Sequence, residues 1–278
     1  MTLTYNINMF QANIILDSIA PSNYRLTTFA LTYPRFIHAE FMTHRVFSRN
    51  ASSSRAIPVS KMIETLKNDY VEPTFWGKNQ KGMQAESELN DAEITLARSI
   101  WLKQRDNAIE AAQALADLGC HKQITNRILE PFMNITVICT ATDYDNFFSL
   151  RCHPDAQPEI QKLAYMMKDA LEASTPTKLY TGEWHIPYIQ PDEQHMDLEI
   201  KKKISVARCA RVSYLTHDGK RDIDKDIELY ERLIGGSGKG HWSPFEHVAM
   251  AIDAPTQSGN FHGWVQYRKF FVQEYQGQ

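Results

Sequence analysis

A helical period runs from about Ala85 to Leu118, with Leu89, Ala92, Leu96, Ile100, Ala108, Ala111 and Leu115 near helical spacing and Gly119 as its stop. Nothing else in the chain limits the fold as strongly. The pattern allows one long helix or two, and it implies a helical bundle layer that can extend across a subunit interface. Strand-like stretches surround it. Arg25 to Tyr33 is rich in Thr, Leu, Phe and Tyr and is interrupted by Pro34, and Ile135 to Thr140 is a β-branched run. With 278 residues the chain can bury one large core or two closely packed ones.

The remaining segments are read in order. Residues 1–24 offer only the short apolar segment Ile14 to Leu16 and a turn around Pro21. Ser60 can cap a short helix carrying Met62, Ile63 and Leu66. Residues 69–84 have no clear period and read as a long loop. A turn at Asp143 to Asp145 leads to Asn146–Arg151, and a helix follows Pro158. Residues 174–200, with Pro176, Pro187 and Pro191, read as connection. Asp224 starts a helix with Ile227, Leu229, Tyr230 and Leu233, Gly235 to Gly240 form a flexible turn, and Val248 to Ile252 is strand-like.

Chemistry concentrates in Thr43–Arg55. Thirteen residues hold three arginines, a histidine, an asparagine and several hydroxyls, with no carboxylate between them. The guanidinium fork and the serine hydroxyls suit an anion, a phosphate above all. A basic loop capped by serines is the structural alternative. A net charge of -3 argues against a general nucleic-acid binder. No run has the length of a membrane span, and the N-terminus lacks a signal-peptide pattern. Cys120, Cys139, Cys152 and Cys209 have neither CxxC nor metal-ligand spacing, which fits free thiols in a reducing cytoplasm. Around Gly238-Lys239, Leu233 and Gly240 stand where a P-loop needs glycine and Ser or Thr. His241-Trp242-Ser243-Pro244-Phe245-Glu246-His247 lacks the histidine that an H-x-x-E-H zinc peptide needs at Ser243, so no metal is expected.

Three segments together resemble the flavin-dependent thymidylate synthase family, which is distinct from the synthases that use a cysteine nucleophile. His44-Arg45, Ser48, Asn50, Ser53 and Arg55 resemble its Arg-His-Arg signature. Arg127-Ile128-Leu129 and Asn146–Arg151 resemble its C-terminal half, whereas Ala210–Tyr214 and His241–His247 resemble its N-terminal half. The segment expected first occurs last, so the chain reads as circularly permuted. Gln266-Tyr267-Arg268-Lys269 is either a degraded second copy of the approach to the signature or a strand edge and tail.

The resemblance implies an α+β (α/β) fold with a central, mostly antiparallel sheet and long helices, assembled as a homotetramer. Residues 1–278 would be one domain, with a nucleotide/flavin motif at 25–60, a helical nucleotide-binding half at 85–172 and a permuted FAD-binding half at 205–255. It also implies FAD, NADPH as reductant, methylenetetrahydrofolate as carbon donor and conversion of dUMP to dTMP. By similarity, His44, Arg45, Asn50, Asn146, Ser213, His241, Ser243 and Glu246 would bind flavin. Ser53, Arg55, Arg127 and Arg151 would bind the nucleotide, and Arg151 would be the catalytic donor to the pyrimidine. Departures stand at Thr43 in place of Arg, Ala51 in place of Glu, Ala56 in place of Tyr and Glu40 in place of Gln. They leave open a related methylase or hydroxymethylase acting on dUMP or dCMP, and a noncatalytic nucleotide-binding or assembly protein. Arg49 is a candidate to compensate for Thr43.

Overall fold

A computed structural model describes residues 9–214, 221–235 and 240–271, with Ser213 and Tyr214 described in backbone only. The elements are β1 (Gln11–Ile19), β2 (Arg25–Pro34), α1 (His38–Phe41), β3 (Ser48–Ala51), α2 (Val59–Asn68), α3 (Asp91–Asp117), α4 (Lys122–Thr125), β4 (Asn134–Ala141), α5 (Asp145–Arg151) and α6 (Pro158–Ala173). They continue with β5 (Thr177–Lys178), β6 (Trp184–His185), α7 (Leu198–Tyr214), α8 (Ile223–Gly235), β7 (Ala249–Ala251), β8 (Gln257–Ser258), β9 (Phe261–His262) and β10 (Trp264–Gln266). The expected α+β architecture around a mostly antiparallel sheet is present. The central sheet has the order β3-β4-β2-β1-β5, antiparallel except for the parallel β1/β5 pair.

Alternation along β2 and β4 divides the sheet into two buried faces. Phe29, Leu31, Tyr33, Val137 and Cys139 point to one side, where Ile160, Leu163, Ala164 and Met167 of α6 cover them. Each such fully buried aliphatic or aromatic side chain contributes about 1.5–3 kcal/mol. On the other side Ile138 meets Cys209 and Val212 of α7, and Leu26 meets Ala249, Ala251, Phe261 and Trp264. The small sheet β10-β7-β6 lies in this second layer. Helices α7 and α8 are tied together through Asp226, which accepts from Arg208 at 2.9 Å and from Arg211 at 2.8 Å.

Several sequence expectations need correction. Residues 1–24 contain a full strand, β1, disguised by Asp17, which is buried and receives both forks of Arg25 at 2.8 and 2.6 Å. The long helix is single and starts at Asp91 rather than Ala85, because Asn90 and Glu93 form a capping box. Ser60 is not a cap; α2 already begins at Val59 after Pro58. The connection over 174–200 holds β5, β6 and the start of α7, and it contributes His185 to the core with no exposed surface. Val206 to Tyr214, which carried no assigned element, lies on α7. Residues 236–239 of the glycine turn lie outside the described residues.

Gly263 shows one place where the backbone dictates the residue. Its φ is +74°, and a Cβ there would fall 2.3 Å from Ser22 Oγ and 2.9 Å from Tyr24 Cβ. We expect Gly263→Ala to lose about 1–3 kcal/mol, from left-handed strain with the clash added. The check is the midpoint of urea unfolding, and an unchanged midpoint would contradict it.

Candidate active site

The turn entering β3 is held by its own polar groups. Thr43 spends its hydroxyl on the Glu40 carbonyl at 2.7 Å, and Arg49 Nη1 donates to the carbonyls of Met42 and His44, each at 3.0 Å. Arg49 therefore braces the turn, and its burial lowers its pKa from the usual range. Farther along, Arg35 Nη1 donates to the Ser52 carbonyl at 3.3 Å, and Asn126 Nδ2 donates to the carbonyls of Ser54 and Ile57 at 2.8 and 2.9 Å. The backbone from 52 to 57 is thus fixed by side chains of two other segments.

This fixed segment forms one wall of a cleft of about 590 Å³, lined by Arg49, Asn50, Ala51, Ser53, Arg55, Ala56, Lys122, His241 and Ser243. Three cations and no carboxylate line it, so its field favours an anion. Lys122 was missed by the sequence reading. It sits on the single turn α4, and its Nζ donates to the Ala56 carbonyl at 3.3 Å. Its only sequence signal is the polar run His121-Lys122-Gln123 after the helix stop at Gly119. On the facing wall His241 Nε2 lies 3.1 Å from Ser243 Oγ, and desolvation lowers the imidazole pKa.

Beside the cleft is a second group. His44 is buried, edge-on to Phe147 with ring centroids 4.8 Å apart. Arg151 Nε donates to His44 Nε2 at 3.0 Å, which requires an unprotonated Nε2. Burial first, then the charges of Arg151 and Arg49, pushes the His44 pKa down to about 4. Arg151 Nη1 is also 3.6 Å from Glu40 Oε2. A neutral imidazole thus serves as acceptor and orients the guanidinium.

The fold therefore brings Asn50, Ser53, Arg55, His241 and Ser243 to one cleft and pairs His44 with Arg151 nearby. Other predicted residues lie elsewhere within the chain. Arg45 is exposed. Arg127 pairs with Glu130 at 3.0 Å, a carboxylate that Arg35 also reaches at 3.0 Å. Asn146 lines a different cleft, of about 660 Å³, with Tyr24, Arg25 and His262. Glu246 is ion-paired with Arg268. The Ser213 side chain lies outside the described residues. Burial raises the pKa of Cys152 beside Arg151, which disfavours a thiolate there. Among the described residues, no group of three or more His, Cys, Asp or Glu could hold a metal ion. No helix among them is long and apolar enough to cross a membrane.

Comparison with known proteins adds three findings. The family model described as thymidylate synthase complementing protein matches residues 21–177. The flavin-dependent thymidylate synthase of Aquifex aeolicus (strain VF5) is 24% identical over 148 residues, which cover 51% of this chain and 44% of the relative. The chain thus spans less than half the length of that curated relative. Two crystal structures of the UMP/dUMP methylase PolB from Streptomyces cacaoi are also similar. The one bound with 5-Br dUMP is 23% identical, with a TM-score of 0.45, covering 54% of this chain and 68% of that one. The one bound with 5-Br UMP is 18% identical, with a TM-score of 0.47, covering 58% and 88%.

Proposed function

This chain belongs to the thymidylate synthase complementing protein family, and from that premise we propose that it is a flavin-dependent enzyme that methylates dUMP at C5 to give dTMP. The observation that carries this reading is the carboxylate-free cleft in which Ser53, Arg55 and Lys122 converge beside Asn50. A nucleoside monophosphate matches that charge. We assign the phosphate to Ser53, Arg55 and Lys122, with Lys122 in the role that sequence similarity suggests for Arg127.

The donor set also fits a flavin. Asn50, Ser243 and the desolvated imidazole of His241 offer neutral hydrogen-bonding groups on two walls of one cleft. When bound, FAD supplies the redox and carbon-transfer chemistry, with methylenetetrahydrofolate as carbon source and NADPH as reductant. His44, Arg45, Asn146 and Glu246 do not line this cleft within one chain. We assign them to a flavin site completed by a neighbouring subunit of a homotetramer. Arg151 supplies the fixed positive charge for the negative charge that builds on the pyrimidine carbonyls as C5 becomes nucleophilic. His44 holds that guanidinium through Nε, which keeps its other N–H groups available to the ring. In this reading the C-terminal segment takes the place of a permuted N-terminal half.

The deciding experiment incubates purified protein anaerobically with FAD, NADPH, methylenetetrahydrofolate and either dUMP or dCMP, following flavin oxidation and nucleotide mass. A methylated dUMP product is expected. Lys122→Met should weaken dUMP binding roughly tenfold, the effect of losing one charge-assisted hydrogen bond, and leave deoxyuridine binding unchanged. Absence of flavin binding and of any nucleotide product would overturn the proposal. A hydroxymethyl product or a preference for dCMP would revise its chemistry.

A further inference from the structure

On the face of the central sheet away from α6, polar side chains form a continuous line across four strands. Asn50 Oδ1 on β3 is 3.3 Å from His247 Nε2, and His247 Nδ1 is 2.8 Å from Thr140 Oγ1 on β4. Thr140 Oγ1 is 2.8 Å from Thr28 Oγ1 on β2, which is 2.8 Å from His185 Nε2. The line ends where His185 Nδ1 lies 2.9 Å from Ser18 Oγ on β1. All six side chains are buried, none more than 6% exposed.

Such a line is a poor way to gain stability. Each hydrogen bond has a small net worth, and apolar replacements of the same shape are often nearly neutral. What the line has is direction. Each hydroxyl and each neutral imidazole between the ends has a single proton to donate. Burial holds both imidazoles neutral, with pKa values pushed down to about 3. Once Asn50 Oδ1 accepts from His247, every other link is determined. Thr140 must donate to His247 Nδ1, Thr28 to Thr140, His185 Nε2 to Thr28, and Ser18 to His185 Nδ1. Turning the Asn50 amide over would move the proton on His247 from Nε2 to Nδ1 and release the links beyond it from their single direction.

We propose that Ser18, His185, Thr28, Thr140 and His247 are positioning residues that hold the Asn50 carbonyl from behind and present its Nδ2 amide to the cleft, where it selects a hydrogen-bond acceptor. The ligand group that meets Asn50 is then a carbonyl or phosphate oxygen, and an amino group is refused because two donors would face each other. This deepens the nucleotide reading and rests on it only for the identity of the ligand. Thr28 and His185 act at a distance, through the line and not by touching the ligand.

The test uses the full-length protein with ¹⁵N-labelled histidine. Nitrogen shifts of the imidazoles should show His185 and His247 both as the Nε2–H tautomer. Thr28→Val, nearly isosteric, should turn the single tautomer into a mixture and weaken dUMP binding, measured by calorimetry, by roughly 2–10-fold, the worth of one hydrogen bond. Thr28→Ser should restore both. A proton on Nδ1 of either histidine in the wild type, unchanged dUMP affinity in Thr28→Val, or failure of Thr28→Ser to restore affinity would overturn the proposal. If the wild type does not bind dUMP, the nucleotide reading fails, and the tautomers alone decide the direction of the line.

Discussion

Acidification from about pH 6.5 to about pH 5 is expected to remove several kcal/mol of folding stability, before ordinary carboxylates protonate. His185 and His247 have no exposed surface, and burial is the largest cause pushing each pKa down to about 3. The unfolded chain takes up these protons near pH 6.5, whereas the folded protein refuses them until about pH 3. Stability from these groups is therefore complete above pH 6.5 and falls as the pH drops, by about 1.4 kcal/mol per pH unit for each imidazole. His44 and His38, both pushed down to about 4, act in the same direction. Urea unfolding measured across this range should show the decline, with a shallower slope in His185→Gln. A stability curve that stays level until carboxylates titrate would show that the buried imidazoles are not neutral.

The second large effect is expected at Arg151. Arg151→Ala should lower kcat for dUMP methylation by roughly 10²–10³-fold, the usual consequence of removing one preorganised donor from a developing oxyanion. Arg151→Lys should recover little, because a single ammonium cannot both donate to His44 Nε2 and reach the ring as a planar fork does. Single-turnover kinetics would separate this from a binding defect. If kcat is retained and only the melting temperature falls, Arg151 merely props the buried His44.

The regular elements were readable where the sequence pattern and the burial agree. β2 and β4 are dense in apolar and β-branched residues, and both have two buried faces. β1 escaped notice because its buried Asp17 is neutralised by Arg25, Ser174 and Thr27, partners that sequence spacing does not reveal. The same reason hid the polar line. Thr28 and Thr140 are unremarkable strand residues until the register places them opposite one another. At the site, the cluster at 43–55 and the peptide at 241–247 stood out by composition, and both supply the cleft. Lys122 did not stand out, because a lone lysine after a helix is usually solvated. Its meaning comes from α4 lying against the 54–56 turn, where it reaches the Ala56 carbonyl.

The cleft joins Asn50 on β3 to a wall carrying His241 and Ser243, and behind it Asn50 contacts His247, 197 residues away in the chain. Bringing together such distant segments requires closing a very long loop, and contacts of that separation form late in folding. During synthesis, strands β1 to β4 and the helices around them can assemble while the opposite wall has yet to be made. Binding competence consequently arrives only once the segment carrying His241 and Ser243 has docked, as an event distinct from the appearance of secondary structure. A ligand that needs both walls, by mass action, stabilises the form in which the segment carrying His241 and Ser243 is docked over any partly folded form.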